Sequence, residues 1–462
     1  MNIFLWKQII TLLNIVFRPL DTNSSVDVSP YAENGLYLLL ALSSISDAAA
    51  ALVNEGVIDL FCNNALSPLL KQGGLDMFLR FGSDHQTGFV ERNPLHVIWC
   101  HMLCAVSNIL RSLGNNNAMN RPQQLIDRVF RSTVAFLQIY GSQLTRTFSL
   151  ANGANNSSFG LLPSESLASC LLEEVDLLSM IIYNLSRHLE RIMSYSSGIF
   201  ISYKNSALTL LQRFLYFFTH PAHMRAQLYP INQKERIFAD SLLSSSSSSS
   251  SQQASSSSLL TSSFSIPPAT STSTTSQDSQ QQQQRSRLMD LIVKKCIHIQ
   301  RNILATLILL AQVDIVITKD MDDWPFGNTI FYPNLRNTQD TASFGTLMES
   351  VNAAVTFIKE YNETNNNNSN SVTLRELLTI VEGSLLLLTT QTALWINKPG
   401  LDQGNQREII DDCLVEITEM LTKTYNSLNH INVPVTLKEP KEKTMTQLAV
   451  LKRFLADRYF NV

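Results

Sequence analysis

The sequence predicts an all-α fold, an irregular HEAT/armadillo-like helical solenoid, on three observations. Apolar residues recur at helical spacing in segment after segment, strand-like alternation is nowhere sustained, and short polar loops separate most segments. The best local signal runs from Glu91 to Leu113. Asn93 can cap free amides, Pro94 fits the first helical position, and Leu95, Ile98, Trp99, Met102, Leu103, Val106, Ile109, Leu110 and Leu113 form one broad stripe. Gly114 and the asparagines after it end the helix.

In chain order, Met1 to Arg18 reads as a helix ended by Pro19, with Ile9, Leu12, Leu13, Val16 and Phe17 on one side. It starts without cap or leader, which points to a chain entered midway through a longer architecture. Ser29-Pro30 opens a helix through Leu36, Leu39 and Leu40 to Ala51, and shorter pieces follow at Glu55–Asn64 and Leu75–Phe81. Beyond the Glu91–Leu113 helix, Pro122 opens one that Gly141 stops, and Ala151 to Ser158 is a polar loop. Helices follow at Ser164–Arg191, Asn205–Phe218 and Lys234–Leu243.

Ser244 to Gln284 is nearly all Ser, Thr and Gln, too polar to offset its ordering entropy, and reads as a disordered insertion between helices. The expected units are therefore 1–243, 244–286 and 287–462. Arg287–Leu310 resumes the helical pattern. The Asp314–Asn337 region is irregular, with Trp324 as anchor of a solvated loop; its acids Asp320, Asp322 and Asp323 lack the glycine and spacing of a calcium loop. Gly345–Tyr361, Leu374–Ile396, Gln406–Tyr425 and Thr444–Tyr459 complete the series.

Of 462 residues, 44% are hydrophobic and only 16% charged, so the polar surface must come from Ser, Thr, Asn and Gln. A net charge of −3 with no basic run argues against a nucleic-acid binder. Six cysteines without paired spacing suit a reducing compartment. No stretch reaches roughly 18 uninterrupted apolar residues, so the chain reads as soluble and intracellular, without a membrane span.

One cluster resembles a chemical site: His96, Cys100, His101 and Cys104. All four lie on a single helix, where His96 and His101 point roughly 140° apart and cannot meet at one ion. No metal, cofactor or catalytic residue is expected. Phosphate-cradling loops, His-Glu-x-x-His and Gly-x-Ser-x-Gly are missing, and acidic pairs such as Glu173-Glu174 and Asp411-Asp412 read as solvated helix surface.

The C-terminal third carries a resemblance. Ala342-Ser-Phe-Gly-Thr-Leu-Met-Glu-Ser-Val-Asn, the run Ser384-Leu-Leu-Leu-Leu-Thr-Thr-Gln-Thr-Ala-Leu, the turn Lys398-Pro-Gly and the closing helix Leu448–Tyr459 resemble, in this order, the end of the nucleoporin one-eighty-eight family. Arg92-Asn-Pro-Leu-His with Trp99-Cys100 is similar to a helix upstream in the same family. That family consists of large inner-ring scaffolds of the nuclear pore complex, several times longer than this chain.

The resemblance implies a non-catalytic solenoid in the nucleus, at the nuclear envelope, supporting nucleocytoplasmic transport of protein and mRNA. Its implied partners are a linker nucleoporin of the ninety-three/Nic96 type, seated as a helix in a groove, and other inner-ring nucleoporins. The expected contact face is Phe344, Leu347, Leu385, Leu388 and Leu394. Isolated Phe-Gly pairs at Phe81, Phe159, Phe326 and Phe344 do not make a permeability-barrier repeat protein. The rival reading is a transport-receptor or trafficking solenoid that binds soluble partners.

Overall fold

The computed structural model describes residues 30–64, 66–78, 92–114, 123–153, 167–219, 227–229, 292–311, 331–334, 342–364, 371–396, 405–431, 433 and 435–459. Helices take up 87% of these, so the fold is all-α. The expectations for Met1–Arg18, Lys234–Leu243, the Ser/Gln tract and Trp324 lie outside the described residues.

The first half is arranged around the helix that the sequence marks most clearly. Helices α1 (Pro30–Ser43), α2 (Ser46–Asn54), α3 (Val57–Cys62) and α4 (Ser67–Lys71) precede α5 (Pro94–Gly114). After it come α6 (Gln123–Ile139), α7 (Gly141–Ala151), α8 (Ser169–Ser186) and α9 (Leu189–Thr219). Helix α5 packs on α1, α2, α6 and α8. Asn93 caps it as expected: its Oδ1 accepts the Leu95 amide at 2.9 Å, and its Nδ2 donates to the Asp76 carbonyl at 2.9 Å. Every member of the stripe from Ile98 to Leu113 is buried, and His96 and Cys100 join it, so the apolar face is wider than the sequence pattern.

Several boundaries differ from expectation: the last two long helices run from Asn405 to His430 and from Val435, and Ser67–Lys71 adds a short helix. The helix from Pro30 to Ala51 is two helices that meet at 114°. Ser43 and Ser44 donate back to the Leu40 and Ala41 carbonyls, and Ile45 turns extended. Leu75–Phe78 is not helical. Its carbonyls face away to Arg146 and Asn93, and Phe78 bridges Arg92. Gly141 starts α7 rather than closing a segment, so the sequence reading missed this helix. The long helix ends at Ser186, and α9 runs unbroken through Gly198, where a gap was expected.

The strands amount to two residues each: β1 (Leu167–Ala168) pairs in parallel with β2 (Leu228–Tyr229), tying the entry of α8 to the chain beyond α9. Helix α10 (292–311) then lies against α8 and the C-terminal helices. The last four are α11 (Phe344–Thr364), α12 (Ser371–Ile396), α13 (Asn405–His430) and α14 (Val435–Tyr459). Helix α11 packs on α9, α12 and α13, and α14 on α12 and α13.

Among the described residues, α5 and the Leu374–Trp395 part of α12 are long and apolar enough to cross a membrane, although neither is an uninterrupted apolar run. In each, 61% of the apolar window is buried against other helices. A helix apolar all round also suits the middle of a helical protein.

Candidate functional site

The His/Cys cluster of α5 resolves into a buried polar knot built on Glu174. Glu174 comes from α8 and is only 1% exposed, which corrects the reading of Glu173-Glu174 as solvated surface. The pair straddles the boundary: Glu173 reaches the outer Arg92 at 3.0 Å, while Glu174 points inward. Trp99 donates its indole N–H to Glu174 Oε1 at 2.7 Å, and His96 Nε2 lies 3.0 Å from Oε2. Thr147 Oγ1, from α7, is 2.7 Å from Oε1 and 2.9 Å from the Gln143 carbonyl, so its one proton serves either.

Arg92 settles the tautomer of His96. Its Nε donates to His96 Nδ1 at 3.3 Å, which leaves the ring proton on Nε2, aimed at Glu174. Burial pushes the Glu174 carboxyl up, but the hydrogen bond and electrostatic attraction of His96, with the hydrogen bonds from Thr147 and Trp99, outweigh it and hold the pKa below the ordinary value. The same burial pushes the Cys170 thiol up to about 12 and Cys100 well above its usual value, despite Arg92. Both are thiols at neutral pH. His101 is on the other side of α5, edge-on to Tyr37 at 5.1 Å. Among the described residues, no group of three His, Cys, Asp or Glu converges as metal ligands.

A second polar chain ties α8, α10 and α12 together. His298 pairs with Asp176 through Nδ1, Arg301 Nη2 lies 3.0 Å from His298 Nε2, and Arg301 reaches Glu376 at 3.6 Å. An Asp–His pair is the orienting half of a catalytic triad. Here the third position holds a guanidinium, a donor with no nucleophilic oxygen or sulfur to activate.

At the C-terminal end, the segments behind the resemblance have local physical roles. Ser343 Oγ accepts the Thr346 amide at 3.4 Å while Thr346 Oγ1 accepts the Ser343 amide at 3.3 Å, a reciprocal cap that opens α11. Trp395 donates to the Phe331 carbonyl at 2.6 Å, pinning 331–334 to α12. Phe344, Leu347, Leu385 and Leu388 are all 1% exposed or less, because α11 and α12 pack on each other along this face. As placed, these four form core rather than an open contact face. Leu394 is half-buried, and Leu386, one residue off the expected set, is 37% exposed.

An open trough of about 950 Å³ lies between α11, α13 and α14. One face of α13 forms its length with Thr418, Glu419, Thr422, Lys423, Asn426 and His430, while Lys359 and Lys452 stand on the other helices. The sequence reading did not find it, since it assembles from three separated segments. No family model and no curated protein matches the chain.

Proposed function

We propose that the chain is a structural interaction module of the nuclear pore's inner ring. It is an irregular, non-catalytic solenoid of the nucleoporin one-eighty-eight kind, acting as a scaffold in nucleocytoplasmic transport. Its partner is a helical segment of a linker nucleoporin of the ninety-three/Nic96 type. The observation that carries the reading is the meeting of the two most specific resemblance segments: Ser350 Oγ and Ser384 Oγ are 3.4 Å apart, and Gln300 Nε2 donates to Ser350 at 2.9 Å. These segments pack as one unit rather than lying scattered.

The separation of the contacts along the chain also supports a solenoid, because the earlier helices gather around α5 and the last four pack on one another, with α9 and α10 between them. The polar groups support a non-catalytic role: Glu174 has both oxygens occupied, and His298 faces Arg301. The linker helix docks on the outward side of α12, where Leu386 and Leu394 are accessible, rather than on the buried Phe344–Leu388 face. The test is localisation of the tagged chain. A nuclear-rim signal supports the pore reading, and a vesicular or diffuse cytoplasmic signal favours the trafficking rival.

A further inference from the structure

We infer that the trough between α11, α13 and α14 is a second docking site, selective for an acidic helical segment of a partner protein. It is distinct from the apolar side of α12 and does not depend on the pore reading. Lys359, Lys423 and Lys452 line it against the single carboxylate Glu419, which leaves two positive charges in a chain whose net charge is −3. Among the described residues, neither Lys423, Lys452 nor His430 has an ion-pair partner or a hydrogen bond, and Lys359 touches only Ser427 Oγ, at 3.4 Å. Each of these lysines is exposed. Their charge is therefore available to a ligand.

Shape narrows the class. Residues Thr418, Thr422, Asn426 and His430 recur every fourth position, so the trough follows α13 for three turns, about 18 Å. A single phosphate or carboxylate would fill little of 950 Å³, whereas a helix of about twelve residues matches the length. The floor is hydroxyl and amide, with Ile431 as its one aliphatic side chain. The threonine methyls, the lysine stems and Ile431 give a helix some apolar contact, while selectivity comes from carboxylates meeting the lysines and from hydrogen bonds to the hydroxyls. Glutamates spaced four apart on the ligand would run parallel to the α13 row.

The probe is a fluorescein-labelled helical peptide of about twelve residues with glutamate at every fourth position, titrated by anisotropy into the full chain. Saturable binding that weakens as salt rises is expected. The double variant Lys423→Glu, Lys452→Glu should bind at least tenfold more weakly, with an unchanged circular dichroism spectrum and Tm because both side chains are exposed. No binding by the folded chain, or equal binding by the variant, overturns the proposal. Binding of inositol hexakisphosphate or heparin fragments without binding of the peptide also overturns it, in favour of a polyanion site. Docking of a linker helix on α12 should be untouched by the lysine changes, which keeps the two readings separable.

Discussion

Glu174, buried to 1% exposure, accepts the Trp99 indole proton at 2.7 Å, so the largest side chain of α5 is held to α8 by a charge as well as by packing. A lone buried carboxylate is costly. This one persists because His96, Thr147 and Trp99 all turn toward it. The knot therefore fixes the register of α5, α7 and α8 at the centre of the first half.

Acid should weaken this knot only at low pH. Because the folded pKa of Glu174 is below the ordinary value, its stabilising contribution is complete above the unfolded value near 4.5. It is lost as pH falls through the folded pKa, where the native state takes up the proton. Urea unfolding between pH 7 and pH 3 should show Glu174→Gln less stable at neutral pH and less sensitive to acid over that window. Glu174→Ala, which leaves the buried Trp99 and His96 N–H groups without their acceptor and opens a cavity, should cost about 3–5 kcal/mol.

Trp99→Ala should cost about 3–5 kcal/mol by removing a ring stacked on Phe136 at 5.6 Å and edge-on to Tyr140 at 5.4 Å. Trp99→Phe keeps most of that packing and loses the N–H, so about 1–3 kcal/mol is expected. Equilibrium unfolding of the two variants separates packing from hydrogen bonding.

Helix α5 was legible because its cap, its first-turn proline and its stripe all agree. The knot was partly legible. Glu174 lies three residues after Leu171 and four before Leu178, on the apolar side of α8, and that position marks it as inward-facing. Pairing it with Glu173 as surface charge ignored the 100° between them. The breaks at Ser43–Ile45 and Ser186–Leu189 carry no Gly or Pro; at each a serine hydroxyl bonds back to the helix, a feature composition does not signal. Gly141 and Gly198 act in the opposite sense, since glycine opening or inside a helix costs only about 1 kcal/mol, which the packing of the rest of the helix offsets. Phe344, Leu347, Leu385 and Leu388 are buried although they read equally well as a contact face, because an apolar helical stripe looks the same in sequence whether it meets a partner or its own chain.

Two glycines should respond oppositely to alanine. Gly73 has φ +66°, and an added Cβ would stand 3.1 Å from the Ser142 carbonyl oxygen, so Gly73→Ala should destabilise by more than about 1 kcal/mol. Gly141 opens α7 with nothing within 4 Å of an added Cβ, and Gly141→Ala should be neutral or gain about 0.4–1 kcal/mol. Paired thermal melts would settle the signs.

Five of the six cysteines should be silent in the folded state. Burial pushes Cys62 and Cys413 up to about 11 and Cys296 to about 12, and all six thiols are free. At pH 7.5, alkylation followed by mass spectrometry should label the half-buried Cys104 ahead of the five buried thiols, which react only on unfolding. Changing Cys100 and Cys104 together to Ser should leave the metal content of the purified protein unchanged.

The scaffold reading is tested most directly by titrating a labelled helical segment of the linker nucleoporin into the purified, folded chain. Saturable binding at tens of micromolar or tighter, weakened at least tenfold by Leu386→Glu together with Leu394→Glu, is the predicted result. No binding at those concentrations by a chain that is fully helical by circular dichroism would contradict it.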